Sequence, residues 1–182
     1  MSKVKIHVFS ISDYEEEEVW LRKQHRQGLK FVKMVPPCFY VFEECTPEDT
    51  VYRLDYQNSS AGSDYKQMFE DYGWEYTGSC AGWLYFRKPA SEIQQENDGE
   101  IFSDGQSKVD MIQHVLKTRI SPLLAIFFCL LIPNLVRAFS GSLGKVDYFL
   151  IAFFSAMVII YLYLIIHCGR KLMKLREKYK TE

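Results

Sequence analysis

Two stretches carry residues whose types and spacing could do chemistry. One is the run of four glutamates, Glu15–Glu18, and the other is "YGWEYTGSCAGWLYFRK" at 72–88, which packs two Trp, three Tyr and a Phe around three glycines. Clustered carboxylates could hold a metal ion or a basic partner. Acidic side chains in the first turn of a helix also offset the positive end of its dipole, so the run reads as a solvated helix start. The aromatic stretch reads either as a binding platform or as the last hairpin of a core.

The remaining reactive side chains do not form a constellation. His7, His25, His114 and His167 are scattered and show no metal-ligand spacing. Five cysteines are an odd number with no C-x-x-C pair, which reads as reduced thiols rather than a disulfide framework or a zinc site. Asn58-Ser59-Ser60 matches a glycosylation sequon that a cytosolic domain would never present to the machinery. No Walker loop, nucleophile elbow, kinase signature or dinucleotide fingerprint is present, so no catalytic, metal or cofactor residue is assigned and no cofactor is expected.

The elements that would position these residues follow from periodicity and caps. "VKIHVFSI" (4–11) alternates as a strand. Ser12 with Glu15 three residues on has capping-box spacing, and a helix over 14–27 should end at Gly28. Strands at 29–35 and 38–44 flank Pro36-Pro37 as a hairpin. The order then recurs: a strand at 50–56, a helix with Tyr65, Met68, Phe69 and Tyr72 on one stripe closing at Gly73, and strands at 74–79 and 83–88. The head, residues 1–89, is thus expected to hold two tandem β-α-β-β units, an internal duplication, as an α+β sandwich of one antiparallel sheet with both helices on one face. Both faces of the closing strands are apolar. A cover is therefore expected over the second face, from a homodimer mate, the juxtamembrane helix or a partner protein. Trp74, Tyr76, Trp83, Tyr85, Phe39 and Tyr40 are the candidate surface for that partner or for a ligand.

The C-terminal third has a different chemistry. Residues 1–116 hold 12 basic and 20 acidic side chains, a net of −8, whereas residues 117–182 hold 10 and 3, a net of +7. An acidic linker (90–106), with its "IFSDG" docked, and a juxtamembrane helix (107–119) lead to two uncharged apolar runs. The second run has 19 residues and reaches roughly 28 Å at the α-helical rise, about the thickness of the bilayer's hydrocarbon core. Spans are expected at 120–139 and 148–168, with "RAFSGSLGKVD" as a tight outer turn. The tail, 169–182, is basic, and Arg170, Lys171, Lys174 and Arg176 read as anchors to anionic head groups. Lys117 and Arg119 precede the first span, so the positive-inside rule places both termini in the cytoplasm of a multi-pass cell-membrane protein. A net of −8 on the head disfavours nucleic acid as a partner.

The acidic helix start with "VWL", the "YRLDY" strand, "FEDYGWEYTGSCAGWLYFRK" and "IFSDGQSK" before a pair of spans resemble domain-of-unknown-function family 2812, found in membrane proteins of Gram-positive bacteria. The resemblance covers roughly residues 3–110 and implies a membrane-tethered cytosolic domain, often encoded beside PadR-type transcriptional regulators; it supplies no catalytic residue. Together these readings point to a membrane-tethered, non-enzymatic regulatory or sensor module whose head binds a protein partner, such as a transcriptional regulator, or a small ligand. The alternative is an accessory or immunity-type subunit of a membrane transport complex, with Pro133, Asn134 and Ser155 as contacts to a transporter subunit. A third reading makes the 72–88 hairpin the pocket wall of an enzyme.

Overall fold

The structure is a computed structural model that describes residues 2–57, 62–93, 96–101, 105–139 and 145–180. The chain divides into two compact units, 1–111 and 112–181. The sequon, the "FSD" of "IFSDG" at 102–104 and the centre of the inter-span turn at 140–144 lie outside the described residues.

In the first unit, β1 (Ser2–Ile6), α1 (Tyr14–Arg26), β2 (Leu29–Val35) and β3 (Phe39–Glu44) are followed by β4 (Thr50–Tyr56), α2 (Ser63–Asp71), β5 (Glu75–Cys80) and β6 (Trp83–Pro89). Each set forms its own antiparallel sheet, in the orders β1-β3-β2 and β4-β6-β5, so the same β-α-β-β topology occurs twice. One continuous sheet was expected, and the reason it splits is local. The two strands that lie side by side, β2 and β5, each carry a bulge, at Val32 between Phe31 and Lys33 and at Thr77 between Tyr76 and Gly78. A bulge leaves one residue out of the ladder and increases the local twist. Those edges therefore abut without pairing: a Cβ added at Gly78 would sit 3.7 Å from the Val32 carbonyl oxygen.

The sheets splay apart from that seam, and α1 fills the opening. It packs on β2 and on β4, with Trp20 against Tyr40 and Phe42 of the first sheet and Tyr14 against Trp83 of the second. The opposite face of the second sheet is covered by α2, in a core of Val51, Phe69, Trp74, Leu84 and Phe86. Both faces of β6 are thus buried within the chain, which accounts for its unbroken apolar run. Among the described residues of this unit no such helix covers the outer face of the first sheet, and Val4, Ile6, Val35 and Phe39 are exposed there.

Local signals differ from expectation in four places. Ser12 does not cap α1: its hydroxyl is turned to Ser10 Oγ at 2.8 Å, Asp13 is the N-cap, and the Asp13 carboxylate accepts the Ser10 N–H. The first strand ends at Ile6 rather than running to 11. On α2 only Tyr65 and Phe69 of the four-residue stripe pack inward, while Met68 and Tyr72 are exposed. The described parts of the acidic linker form two short 3-10 turns, Ala90–Glu92 and Glu96–Gly99, with Ile93 and Ile101 packed on the α2 core.

After α3 (Gly105–Val115) a π turn at Leu116–Ile120 leads without a break into α4 (Ser121–Phe139), which passes through Pro133, and α5 runs from Lys145 to Lys180. Two helical stretches, Ser107–Pro133 and Ala152–Tyr179, are long and apolar enough to cross a membrane, and α4 and α5 pack on each other.

Candidate ligand-binding site

The buried residues of α1 are Tyr14, Glu17, Leu21, Gln24 and His25. Spaced i, i+3, i+7, i+10, i+11, they form one stripe of the helix, and a glutamate stands on it. Facing the stripe are alternate side chains of the second sheet. Trp83, Tyr85 and Arg87 of β6 pair across the ladder with Tyr56, Leu54 and Tyr52 of β4, so the six share one face. The two rows meet in order. Tyr14 stacks on Trp83 with ring centroids 5.4 Å apart, Glu17 meets Tyr85, and His25 Nδ1 lies 2.9 Å from the Tyr52 hydroxyl.

Glu17 is the centre of this layer. Its Oε1 accepts the Tyr85 hydroxyl at 2.8 Å and the Tyr40 hydroxyl at 2.9 Å, so one carboxylate oxygen ties the middle strand of each sheet to α1. Phe31 lies against both phenols, 5.0 Å from Tyr85 and 6.1 Å from Tyr40. Oε2 accepts no hydrogen bond, and no Lys, Arg or His pairs with Glu17, among the described residues. Burial pushes the Glu17 carboxyl above the ordinary carboxylate range, opposed by the two tyrosine hydroxyls and reinforced by Asp13. Burial, with Glu17 next, pushes both phenols far up, so they stay protonated and act as donors. The nearby Cys80 thiol is raised by burial and then by Glu17, which leaves it a poor nucleophile.

Several other charged groups in the head are paired with opposite charge, whereas the buried Asp55 carboxylate, like Glu17, accepts a tyrosine hydroxyl, that of Tyr65, together with the Gln57 side-chain amide at 3.0 Å. Arg87, at the far end of the same face, is held by the Glu75 carboxylate and donates to the Phe31 carbonyl oxygen at 3.3 Å. Asp49 accepts forked pairs from Arg22 and Arg26, which hold its carboxyl well below the usual range. Glu18, next to Glu17, points the other way. Its Oε1 accepts the Leu54 N–H at 2.8 Å, a donor on edge strand β4 that the ladder leaves open, and its Oε2 meets Arg53 at 3.2 Å. Arg53 continues to Glu100 at 2.8 Å, and Glu100 to Lys108 of α3 at 2.8 Å. This chain joins α1, β4, Glu100 just after the second 3-10 turn, and the first turn of α3. Burial raises the Glu18 carboxyl to about 8 against the opposing pull of Arg53 and the Leu54 N–H. Burial also raises Glu100, but Lys108 and Arg53 more than offset it and hold its carboxyl below the ordinary range.

The acidic run is therefore only half a solvated helix start: Glu16 is exposed, whereas Glu17 is buried and Glu18 is hydrogen-bonded against a strand edge. Of the six aromatic candidates, Tyr40 and Tyr85 meet on Glu17, and Trp83 lies in the same layer. Trp74 belongs to the α2 core, and Tyr76 is half-buried beneath the Lys66 ammonium, 4.2 Å from its ring. Phe39 is on the uncovered outer face of the first sheet. The six do not form one patch. Glu17, Glu18 and Tyr14 were missed, although the spacing of Tyr14, Glu17 and Leu21 carries the signal.

On α5, Arg170, Lys171 and Lys174 line a cavity of about 450 Å³ with Tyr163, Ile166 and His167, and Arg176 follows on the same helix. The Tyr163 and His167 rings stack at 5.8 Å. Among the described residues, no group of three His, Cys, Asp or Glu could hold a metal ion.

A family model described as a protein of unknown function, DUF2812, matches residues 13–124. The chain belongs to that family. The matched stretch begins at the N-cap of α1 and contains Glu17, Tyr40 and Tyr85 as well as the chain from Glu18 to Lys108. Neither the curated proteins nor the solved structures include a match to this chain.

Proposed function

We propose that this DUF2812 chain is a membrane-tethered, non-enzymatic regulatory module whose cytosolic head binds a small ligand in the aromatic layer between its sheets, with Glu17 as the polar contact. The supporting observation is a buried carboxylate that carries two tyrosine donors on one oxygen and no basic partner among the described residues. Burying an ionisable group costs stability even when it is hydrogen-bonded, so a folding role alone is a weak reason for it. The tether is supported by the two apolar helices, and the cytosolic side by the basic flanks Lys117, Arg119 and Arg170–Lys180. The chain of charges from Glu18 to Lys108 gives the head a fixed link to the start of α3, from which the helix continues toward the first apolar run.

The test is thermal unfolding of the full chain in a mild detergent, against small probes that include aromatic cations, anions and neutral amides. At least one chemical class should raise the melting temperature of the wild-type chain and fail to do so for Tyr85→Phe or Trp83→Phe. No shift with any class would remove the reading.

A protein partner is the second reading. It is favoured by the exposed Val4, Ile6, Val35 and Phe39 on the outer face of the first sheet. A second copy of the chain, a transporter subunit or a regulator could each fill that face, and a mass measurement in detergent separates self-association from the others.

A further inference from the structure

We infer that the cavity on α5 is a discrete site for one anionic phospholipid whose headgroup carries no ammonium; this rests on the membrane-tethered reading above and is independent of the ligand proposed for the head. The cavity, of about 450 Å³, is lined among the described residues by Tyr163, Ile166, His167, Arg170, Lys171 and Lys174. All six are on α5 at spacings i, i+3, i+4, i+7, i+8 and i+11, so they form one stripe of that helix. The stripe changes chemistry along its length. The uncharged run that starts at Tyr148 ends at Ile166, and the cations begin one turn later at Arg170. From Tyr163 to Lys174 the helical rise is about 16 Å, which takes the cavity from the edge of the hydrocarbon core through the headgroup layer.

That gradient selects an amphiphile. At the C-terminal end Arg170, Lys171 and Lys174 offer charge-assisted donors to phosphate oxygens, and no carboxylate lines the cavity among the described residues. At the other end Tyr163 and Ile166 are exposed, and the Tyr163 and His167 rings stack at 5.8 Å into a flat wall for the glycerol backbone and the first acyl methylenes. A soluble phosphate would use the basic end alone. The lining also sorts lipids of equal charge. An ammonium in the headgroup meets three cations and no lining carboxylate, so phosphatidylserine fits less well than phosphatidylglycerol, although both carry one net negative charge. Attraction of a basic tail to an anionic surface follows net charge and does not separate those two.

The experiment titrates the full chain in detergent with dihexanoyl phosphatidylglycerol, phosphatidylserine and phosphatidylcholine, and with glycerol phosphate as the lipid-free phosphate, and counts bound molecules by native mass spectrometry. One phosphatidylglycerol is expected to saturate the chain, at least tenfold more tightly than any of the other three. Arg170→Gln should weaken that binding at least tenfold. Arg176→Gln removes the same charge from an exposed position of α5 outside the cavity lining, and should change the affinity less than threefold. Equal binding of phosphatidylglycerol and phosphatidylserine, or an equal loss in the two variants, would reduce the site to surface attraction and overturn the inference. Glycerol phosphate binding as tightly as the lipid would make this a site for a soluble phosphate, and the lipid assignment would be wrong. Should Arg170→Gln not fold, the ranking of the four probes on the wild-type chain decides alone. Carbonate extraction of the chain from phosphatidylcholine vesicles reads the tether separately. Release removes the tether and the lipid site with it, whereas retention without a preference for phosphatidylglycerol removes the site alone.

Discussion

Tyr85 in the middle strand of the second sheet donates its hydroxyl to Glu17 Oε1 at 2.8 Å, and the two residues are 68 positions apart in the chain. Tyr40 brings the middle strand of the first sheet to the same oxygen. A single carboxylate on α1 thereby joins three elements, so a change at that carboxylate is felt by both sheets at once.

Removing one donor should be costly. Tyr85→Phe deletes a hydrogen bond to a buried carboxyl and is expected to lower the unfolding free energy by about 1–3 kcal/mol. In a double-mutant cycle with Glu17→Gln, the coupling should exceed about 0.5 kcal/mol, as for groups in direct contact. Chemical denaturation of the four chains in detergent measures both numbers.

Glu18 gives the head a definite pH response. An ordinary glutamate titrates at 4.5, and burial raises this one to about 8. Between those values the folded chain keeps a proton that the unfolded chain has lost, so stability falls as the pH rises from 4.5 through 8; below 4.5 both states hold the proton and the effect vanishes. Glu18→Gln should flatten this slope in melting curves taken across the window.

Gly28 follows α1 with φ of 79°, and a Cβ there would lie 2.9 Å from the Cys45 carbonyl oxygen, which is backbone and cannot move cheaply. Gly28→Ala is expected to cost about 2 kcal/mol, combining the left-handed conformation with the displaced strand end. Gly169→Ala, inside α5 where nothing lies within 4 Å, is the control and should be near neutral or slightly stabilising.

Cys38 and Cys45, both partly exposed, test the side of the membrane on which the head lies. In intact cells a membrane-impermeant maleimide should leave both unlabelled, and permeabilisation should expose them. Labelling without permeabilisation would place the head outside.

Much of this fold is legible in the sequence. Strands at 29–35 and 50–56 fall where alternation and β-branching put them, and Gly28 and Gly73 end their helices in the left-handed region. The single sheet was not legible, because it fails through a bulge at Val32 that no residue type announces and one at Thr77 for which Gly78, a glycine inside the strand, is the signal. The site was hidden for a different reason. Four glutamates at a helix start have a sufficient local explanation in the helix dipole, and only the spacing of Tyr14, Glu17 and Leu21 shows that one of them is on the buried stripe. Whether β6 lies under α2 alone or between α2 and α1 depends on contacts between residues more than 60 apart, which periodicity cannot encode.

The most direct test is the infrared difference spectrum of the full chain in detergent on addition of benzyltrimethylammonium near neutral pH. Burial raises the Glu17 carboxyl, so a bound cation should favour its ionised form. The facing groups Tyr40, Tyr85 and Cys80 are all raised and stay protonated, and Asp13 only raises Glu17 further. The account predicts a change in the carboxyl region that is absent in Glu17→Gln. An unchanged carboxyl region, or the same change in Glu17→Gln, would contradict it.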